Sequence, residues 1–474
     1  MGAYLSAALS TLSQSDGQNA NLVNKYFSQL TASYFGQDAL ALRGEAYDDM
    51  LWVVLGWIES IKFVNLNTDR HYTNSTSPWY GTIWTPVFAH RARLFWDLAS
   101  QGWDTTLCDG GMVWNPYLEP YKNAITNELY ITASISMYLY FPGDENASPF
   151  SSPILPARDP KYLAAAIEGY RWLLGSNMTD AGGLYVDGYH ISGWTKNNTQ
   201  KNKRCDARNE MVYTYNQGVL LSGQRGLYEA TGARSYLWDG HKLISDVMSA
   251  TGWEVRLDVP LNDWDEASNL GKWHGLGRGG IMEEFCDAGG YCSQDGQTFK
   301  GIFFHHLTTF CAPLPDHLVL QDKSVLSDAG GSLEKTRKHH RKKCAGYGKW
   351  IKHNAKGALN SRNLDGKFGT WWGSPPGRKH DQNVPTELPV QAVDYRNLGV
   401  PKAWKGRPLE TPSKDFTKHT NDQRTHVGED HEDRAADIGI MDLNDRGRGR
   451  TVETQGGGLA VLRALWELVE SPEI

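Results

Sequence analysis

Two adjacent aspartates, Asp48 and Asp49, are the residues of this chain whose type and spacing most clearly allow chemistry. They begin a segment whose next residues, Leu51 to Leu55, are apolar. A helix start needs one capping carboxylate, so a second one in an apolar setting suffers like-charge repulsion and desolvation. These effects raise the pKa of one carboxyl group, while the helix N-terminus holds the other ionised. The pair is therefore suited to act as an acid and a nucleophile.

Retaining glycoside hydrolysis requires this division of roles between two carboxyl groups about 5 to 5.5 Å apart. Neighbouring residues at a helix start can reach that separation. The alternative interpretation is structural, with one capping aspartate and one solvated aspartate. A metal site is disfavoured because no further carboxylate or histidine stands at ligand spacing around the pair. We expect no metal and no organic cofactor.

The composition favours a carbohydrate ligand weakly and disfavours polyanions. The chain has 18 tryptophans and 22 tyrosines, whose rings can form the flat platforms on which sugar faces stack. A formal net charge of -6 provides no long-range attraction for nucleic acid or an anionic membrane. The basic run from Lys335 to Lys343 is interpreted as a solvated helix face. No apolar stretch is long enough to predict a membrane span.

The elements that must position the aspartates are predicted to be helices. Apolar residues recur at spacings of three and four, whereas strand-like alternation is nearly absent. No linker divides the pattern, so we expect one all-helical catalytic domain over residues 1–474, with a polar excursion at about 373–450 before the last inner helix. The periodic segments are Tyr4 to Leu12, Leu22 to Phe35, Met50 to Phe63, Phe88 to Leu98, Ile125 to Tyr140, Tyr162 to Leu174, Val219 to Tyr228, Leu237 to Met248, Phe299 to Phe310, Cys344 to Leu359 and Leu459 to Leu468.

Alternate helices begin with polar residues, and this repeat predicts a common site. Helical hairpins stacked in a ring would gather these starts, and the glycine-aromatic loops between helices, at one end of the inner bundle. The alternative is that they are caps and turns of a helical array without a shared site. The polar starts are Asp48-Asp49, Asn127-Glu128, Asn216-Gln217, Asp295 to Thr298 and Thr454-Gln455.

The six cysteines are even in number and contain no CxxC pair, which disfavours zinc and thioredoxin-like chemistry. Cys286 and Cys292 flank two glycines that allow a tight reversal, so we expect a disulfide between them. The other four, Cys108, Cys205, Cys311 and Cys344, allow three pairings. Buried free thiols in a cytosolic protein are the alternative.

The sequence does not settle the compartment. The chain has four glycosylation sequons, and a few are expected by chance. Its first residues, MGAYLSAALS, lack the charged start and cleavage pattern of a signal peptide. The sequons lie at Asn74, Asn146, Asn177 and Asn197.

Five motifs, in their order and spacing, resemble fungal members of glycoside hydrolase family 76. They are YDDMLWVVLGWIESIKF, GGMVWNPYLEPYKNAITNELYITASISMYLY, YTYNQGVLLSGQRGLYEATG, DGQTFKGIFFHHL and FGTWWG, and the resemblance covers residues 2 to 468. It implies an (α/α)6 barrel of helical hairpins and endo-acting hydrolysis of α-1,6-linked mannan with retention of configuration. It also implies an extracellular or cell-wall location. We expect a monomer that binds α-mannan polysaccharide or oligosaccharide.

Carried over residue by residue, the resemblance makes Asp48 the nucleophile and Asp49 the general acid/base. It places further residues at the substrate cleft. These are Trp52, Trp114, Asn115, Asn127, Glu128, Asn216, Gln217 and Trp372.

The sequence also departs from the family. Members normally begin with a secretion signal and an outer helix, whereas this chain opens at what resembles the first inner helix, AYLSAALSTL. We therefore expect six inner and five outer helices, without the first outer helix. Two other functions stay open at this point. One is a cell-wall transglycosidase that uses the same covalent intermediate, and the other is a mannan-binding protein without turnover.

Overall fold

The computed structural model describes residues 2–14, 19–73, 77–146, 155–194, 202–265, 270–319, 325–326, 331–375, 388–400 and 442–471. The α-helices are α1 (Gly2–Gln14), α2 (Ala20–Gly36), α3 (Tyr47–His71), α4 (Thr85–Ala99), α5 (Ala124–Tyr140), α6 (Pro160–Gly175), α7 (Thr214–Thr231), α8 (Ser235–Ala250), α9 (Phe299–Cys311), α10 (Ser332–Ala345), α11 (Gly348–Asn360) and α12 (Val452–Leu465). The strands are β1 (Tyr121–Asn123), β2 (Gly143–Asp144), β3 (Leu155–Pro156), β4 (Val186–His190), β5 (Ala207–Val212), β6 (Trp253–Glu254), β7 (Val259–Pro260), β8 (Trp264–Asp265), β9 (Leu270–Gly271), β10 (Gly277–Arg278), β11 (Ile281–Met282), β12 (Leu318–Val319) and β13 (Val325–Leu326).

Six of the helices form an inner ring. In chain order they are α1, α3, α5, α7, α9 and α12, and each packs on the next. Helix α12 also packs on α1, which closes the ring. The remaining helices pack on the outside of this ring, α2 on α1, α4 on α3, α6 on α5, α8 on α7, α10 on α9 and α11 on α12. This arrangement is an (α/α)6 barrel, which confirms the predicted fold class.

Each predicted helical segment lies on a helix, with one difference in the outer layer. The periodicity predicted one helix from Cys344 to Leu359, whereas α10 ends at Ala345 and α11 begins at Gly348. The break contains Gly346, and glycine is a poor helix former. The described ranges contain six inner and six outer helices, which corrects the expected count of five outer helices, because α10 is a separate helix that packs on α9 and that the periodicity did not predict.

The inner helices approach one another closely at glycines. A side-chain carbon built on Gly301 of α9 would lie 2.6 Å from the backbone of Gly457 in α12. On α7, the same atom built on Gly218 would lie 2.5 Å from the Cα atom of Phe303. Any side chain at these positions would push two inner helices apart. The glycines therefore set the tight packing of the ring around α9.

A three-stranded antiparallel sheet, β1–β4–β5, lies at the end of the barrel where α5 and α7 begin. Gly188 of β4 pairs with Asn123 of β1 on one side and with Asn209 of β5 on the other. The sequence predicted almost no strands. The structure differs because strands of three to six residues inside loops are too short to show a clear alternation. This sheet carries Tyr121 and Asp187 to the candidate site.

All six cysteines form disulfides. The predicted pair, Cys286 and Cys292, is confirmed with Cα atoms 4.9 Å apart. The other pairs are Cys108–Cys205, at 5.2 Å, and Cys311–Cys344, at 5.6 Å. The first ties the loop after α4 to the segment before β5, and the second joins α9 to α10. The tertiary structure therefore decides which of the three pairings left open by the sequence is formed.

Among the described residues, no helix is both long enough and apolar enough to cross a bilayer.

Two of the three disulfides close loops of very different length, so removing each one is predicted to cause a different loss of stability. The Cys108–Cys205 bond joins residues 97 apart, and the Cys286–Cys292 bond joins residues 6 apart. Because a longer loop restricts the unfolded chain more, we expect double serine variants to lose about 4–5 and about 2 kcal/mol of unfolding free energy, respectively. Denaturant unfolding followed by tryptophan fluorescence measures both. Equal losses, or a larger loss for the short loop, would contradict this account.

Candidate active site

The aspartate pair lies in the first turn of α3, and the loop before α5 holds that turn in place. The backbone N–H of Tyr47 donates to the carbonyl of Trp114 at 2.9 Å. The N–H of Trp114 in turn donates to the carbonyl of Tyr121 in β1 at 2.8 Å. The start of α3 is thus fastened through one loop residue to the three-stranded sheet.

The first turn of α3 opens into a cavity of about 520 Å³. Asp48, Asp49 and Trp52 of α3 line it. Tyr215 at the start of α7 and Asp295 before α9 are also in the wall. The expectation that polar helix starts gather at one cavity therefore holds for α3 and α9, whereas α7 reaches the cavity through Tyr215 and not through the predicted Asn216 and Gln217.

The two aspartates stand in different surroundings. Asp48 is 6% exposed, and its carboxylate accepts a hydrogen bond from the N–H of Asp49 at 3.2 Å. Burial raises the pKa of Asp48 to about 7, against the lowering effect of the Arg396 guanidinium. Asp49 is exposed at the mouth. Partial desolvation there, with the negative charges of Glu45 and Asp295, raises the pKa of Asp49.

This corrects the sequence-based expectation that the helix N-terminus holds one carboxyl group at an ordinary pKa. Both pKa values are raised. At Asp48, the effect of desolvation on the pKa outweighs the favourable field of the helix start. Arg396 is the largest influence in the opposite direction at Asp48.

Two of the predicted cleft residues have polar atoms without partners. Both carboxyl oxygens of Glu128 and both amide atoms of Asn216 are buried and make no hydrogen bond to a described residue. The same holds for the hydroxyl of Tyr215. Burial, followed by the charge of Asp187, raises the pKa of Glu128 well above its ordinary value. Of these three residues, Tyr215 lines the cavity, whereas Glu128 and Asn216 are fully buried and do not line it.

The predicted cleft residues Asn127 and Gln217 have a different task. The amide of Asn127 accepts from the N–H of Met112 at 2.7 Å and donates to the carbonyl of Asn123 at 2.7 Å. The amide of Gln217 accepts from the N–H of Tyr185 and donates to its carbonyl, both at 2.8 Å. These amides are used to fasten loops to the starts of α5 and α7, which corrects their expected place at the cleft.

A side-chain amide at the start of α12 makes the same pair of hydrogen bonds with a loop residue. Gln455 accepts from the N–H of Phe368 at 3.0 Å and donates to its carbonyl at 3.2 Å. A side-chain amide matches the one donor and one acceptor of a backbone residue. The polar helix starts that the sequence predicted as one site are therefore partly loop fasteners.

The remaining predicted residues divide between the cavity and the core. Trp52 is half-buried and lines the cavity. Trp114 is half-buried in the loop before α5, with its ring 5.3 Å from the guanidinium carbon of Arg396. Asn115 accepts from the N–H of Tyr117 at 2.8 Å and so holds a turn. Trp372 is 4% exposed and packs on Phe304, which corrects its expected position at the cleft.

Three residues of this region were not predicted as site residues, whereas Asp295 belongs to the predicted polar helix starts. Tyr215 precedes Asn216 in a predicted motif, so its position in the sequence was an available signal. Asp187 lies in β4, whose short length concealed it. Arg396 comes from the polar excursion, where no local pattern marks it.

Two groups of side chains in the described part of the chain have metal-ligand spacing. They are His241, His340 and Cys344, and Cys286, Asp287 and Cys292. Each includes at least one cysteine sulfur that a disulfide already uses, so neither offers a full set of ligands.

The ring of helical hairpins, with a carboxylate pair in a cavity at one end of it, defines an (α/α)6-barrel protein with a candidate active site. The sequence profile of glycosyl hydrolase family 76 matches residues 44–362, and the chain belongs to this family.

Two curated relatives share part of the sequence. Mannan endo-1,6-alpha-mannosidase DCW1 of Saccharomyces cerevisiae is 24% identical over 256 residues, which is 52% of this chain and 44% of that protein. The protein of the same name from Candida glabrata is 23% identical over 239 residues, which is 49% of this chain and 42% of that protein. The matches thus span less than half the length of either relative.

One solved structure has a similar fold. It is an inactive variant of an alpha-1,6-mannanase from Salegentibacter sp. HEL1_6, with two aspartates replaced by alanine, in complex with alpha-1,6-mannotetrose. It is 16% identical, covers 99% of this chain and 89% of that chain, and has a TM-score of 0.50.

Replacing two neighbouring amides on α7 is predicted to have unequal effects on stability. Gln217→Met leaves the buried N–H of Tyr185 without its acceptor, so we expect the unfolding free energy to fall by about 2–4 kcal/mol. Asn216→Leu removes an amide without hydrogen-bond partners, so its effect should stay below about 1 kcal/mol. Denaturant unfolding of both variants measures the difference. The reverse order would show that Gln217 does not fasten the loop.

Proposed function

We propose that this chain is a retaining, endo-acting glycoside hydrolase that cleaves α-1,6-linked mannan. The observation that carries the proposal is the carboxylate pair in the first turn of α3, facing a cavity, in a chain of family 76. The names of the two curated relatives, both mannan endo-1,6-alpha-mannosidases, support the substrate.

Asp49 is the general acid/base in this proposal. It lies at the mouth of the cavity, and its raised pKa keeps a proton available for the glycosidic oxygen. Asp48 lies deeper and attacks the anomeric carbon, which forms a covalent glycosyl-enzyme. Asp49, now without its proton, then activates a water molecule that releases the sugar.

The walls of the cavity bind the substrate in this proposal. Trp52 in the wall and Trp114 beside Arg396 provide apolar faces on which a sugar ring can stack. Tyr215 in the wall has a hydroxyl that no described residue satisfies, which suits the hydroxyl groups of mannose. Glu128 and Asn216 are fully buried outside the cavity wall, and their polar atoms without partners are proposed to bind further hydroxyl groups. Asn115 shapes the loop beside Trp114.

We also propose that residues 1–474 form one catalytic domain, because α1 and α12 complete the inner ring on either side of the region matched by the family. Three disulfides favour an extracellular or cell-wall location, where such bonds persist. Two sequons, Asn146 and Asn177, are exposed and so suited to glycosylation, while Asn74 and Asn197 lie outside the described residues. The chain is proposed to act as a monomer.

Replacing either aspartate tests the proposal. We expect Asp48→Asn and Asp49→Asn each to lower turnover of linear α-1,6-mannan by at least about a hundredfold, because each change removes a chemical step. Asp316→Asn is a matched control, since Asp316 is 91% exposed outside the cavity. Circular dichroism checks that all three variants are folded. Near-normal turnover in either active-site variant would contradict the assignment.

The products decide the reaction type. Retention predicts that the first product has the α configuration, which NMR of the reaction mixture resolves. Longer products on addition of a mannooligosaccharide acceptor would indicate transglycosylation instead of hydrolysis. Binding of mannan without any products would indicate a binding protein.

The two aspartates are distinguished by rescue. A substrate with a good leaving group departs without protonation, so we expect it to restore part of the activity of Asp49→Ala. The same substrate should not restore Asp48→Ala, because the nucleophile is still absent. Rescue of Asp48→Ala alone would reverse the two roles.

A further inference from the structure

Residues 388–400, here called the docked segment, belong to the polar excursion and lie against the candidate site. Hydrogen bonds to Asn209, Tyr213 and Ser293 hold the segment. The amide of Asn209 accepts from the N–H of Val393 at 2.7 Å and donates to its carbonyl at 3.0 Å. The hydroxyl of Tyr213 donates to Asp394 at 2.7 Å. The N–H of Ser293 donates to Asn397 at 2.6 Å.

These contacts come from three different parts of the barrel end. Asn209 is in β5, Tyr213 precedes α7, and Ser293 lies in the loop before α9. Asp394 and Asn397 are themselves buried. The docked segment is therefore a built part of the cavity wall, fixed on both sides of Arg396.

Arg396 reaches from this segment toward the deeper aspartate. Its Nη2 atom lies 3.8 Å from Oδ2 of Asp48. Its guanidinium carbon lies 5.3 Å from the ring centre of Trp114 and 5.8 Å from that of Tyr215. With the Arg396 side chain 18% exposed, water screens the pair only partly. The two rings hold the guanidinium beside Asp48.

The charges around this contact are mostly negative. Asp48 faces Asp49, which in turn is near Glu45 and Asp295. Arg396 also faces Asp187 and the hydroxyls of Tyr213 and Tyr215. Among the described residues that line the cavity, Arg396 is the single arginine or lysine. No other described cavity residue can supply a permanent positive charge to Asp48.

We propose that Arg396 is a positioning residue that favours the ionised form of Asp48 and orients it for attack, and that the docked segment exists in part to deliver it. This inference rests on the proposed function, in which Asp48 is the nucleophile. A carboxyl group buried this deeply favours its neutral form, which is not nucleophilic. An arginine stays charged under all conditions of interest, so its effect does not depend on pH.

The pH profile of kcat/KM tests the inference. Attack needs ionised Asp48 and protonated Asp49, so kcat/KM rises and then falls as the pH increases. The acidic and basic limbs of this profile give the two apparent pKa values of the coupled pair. Arg396 lowers the pKa of both aspartates. We expect Arg396→Gln to move both limbs upward, the acidic limb by about 1 to 3 pH units, as for loss of a nearby opposite charge.

Matched variants separate charge from packing. Arg396→Lys keeps a positive charge and should keep the acidic limb within about half a pH unit. Arg396→Met keeps contact with the two rings but should shift the limbs as Arg396→Gln does. Lys352→Gln, on the outer helix α11, removes one exposed positive charge and should leave the profile unchanged. A uniform loss of rate in Arg396→Gln and Arg396→Met, with both limbs in place, would overturn the inference.

A direct titration makes the inference independent of activity. Protein labelled with ¹³C at the aspartate carboxyl carbons gives an Asp48 signal, identified by its loss in Asp48→Asn. The pKa of this signal should rise in Arg396→Gln and Arg396→Met relative to the unsubstituted chain. If the unsubstituted chain fails to cleave α-1,6-mannan while the pKa rises as expected, the proposed function fails and the ionising role of Arg396 stands. An unchanged Asp48 pKa would overturn the inference whatever the activity.

Discussion

Desolvation of the Asp48 carboxyl group is the constraint on which the candidate site depends. The group lies at the start of an inner helix, where the surrounding ring of helices excludes water. An isolated carboxylate in such a place would be neutral, and the field of one helix start is too weak to offset the loss of water. Two groups favour the ionised form of Asp48, a guanidinium from a distant part of the chain and the N–H of Asp49. The reactivity of the pair follows from the balance among these groups.

The barrel provides the rigidity that this balance needs. Tight glycine contacts around α9 fix the inner helices relative to one another. Side-chain amides at the starts of α5, α7 and α12 then fasten the connecting loops to those helices. The backbone link from Tyr47 through Trp114 to the sheet does the same for α3. The walls of the cavity are thus loops that are held at several points by buried hydrogen bonds.

The polar residues at the helix starts are of two kinds. One kind hydrogen-bonds to a loop, and the other has no hydrogen-bond partner among the described residues. On α7, Gln217 binds a loop while the neighbouring Asn216 has no partner among the described residues. On α5, Asn127 and Glu128 divide in the same way. Neighbouring helix positions differ by about 100° around the axis, so one side chain can face a loop while the next faces the barrel interior. A polar dipeptide at a helix start therefore fastens a loop with one side chain and leaves the next without a partner among the described residues.

The sequence by itself determined the helical class, the six inner helices, the aspartate pair at a helix start and the short Cys286–Cys292 disulfide, because these depend on local periodicity and on neighbours in the chain. It could not tell that Trp372 enters the core or that Asn127 and Gln217 bind backbone, since a motif identifies residue types and not their partners. The pairing of Cys108 with Cys205 and the approach of Arg396 to Asp48 join residues far apart in sequence. Only the closed ring brings such residues together, and the pKa of Asp48 follows from that closure because burial and distant charge are properties of the tertiary structure.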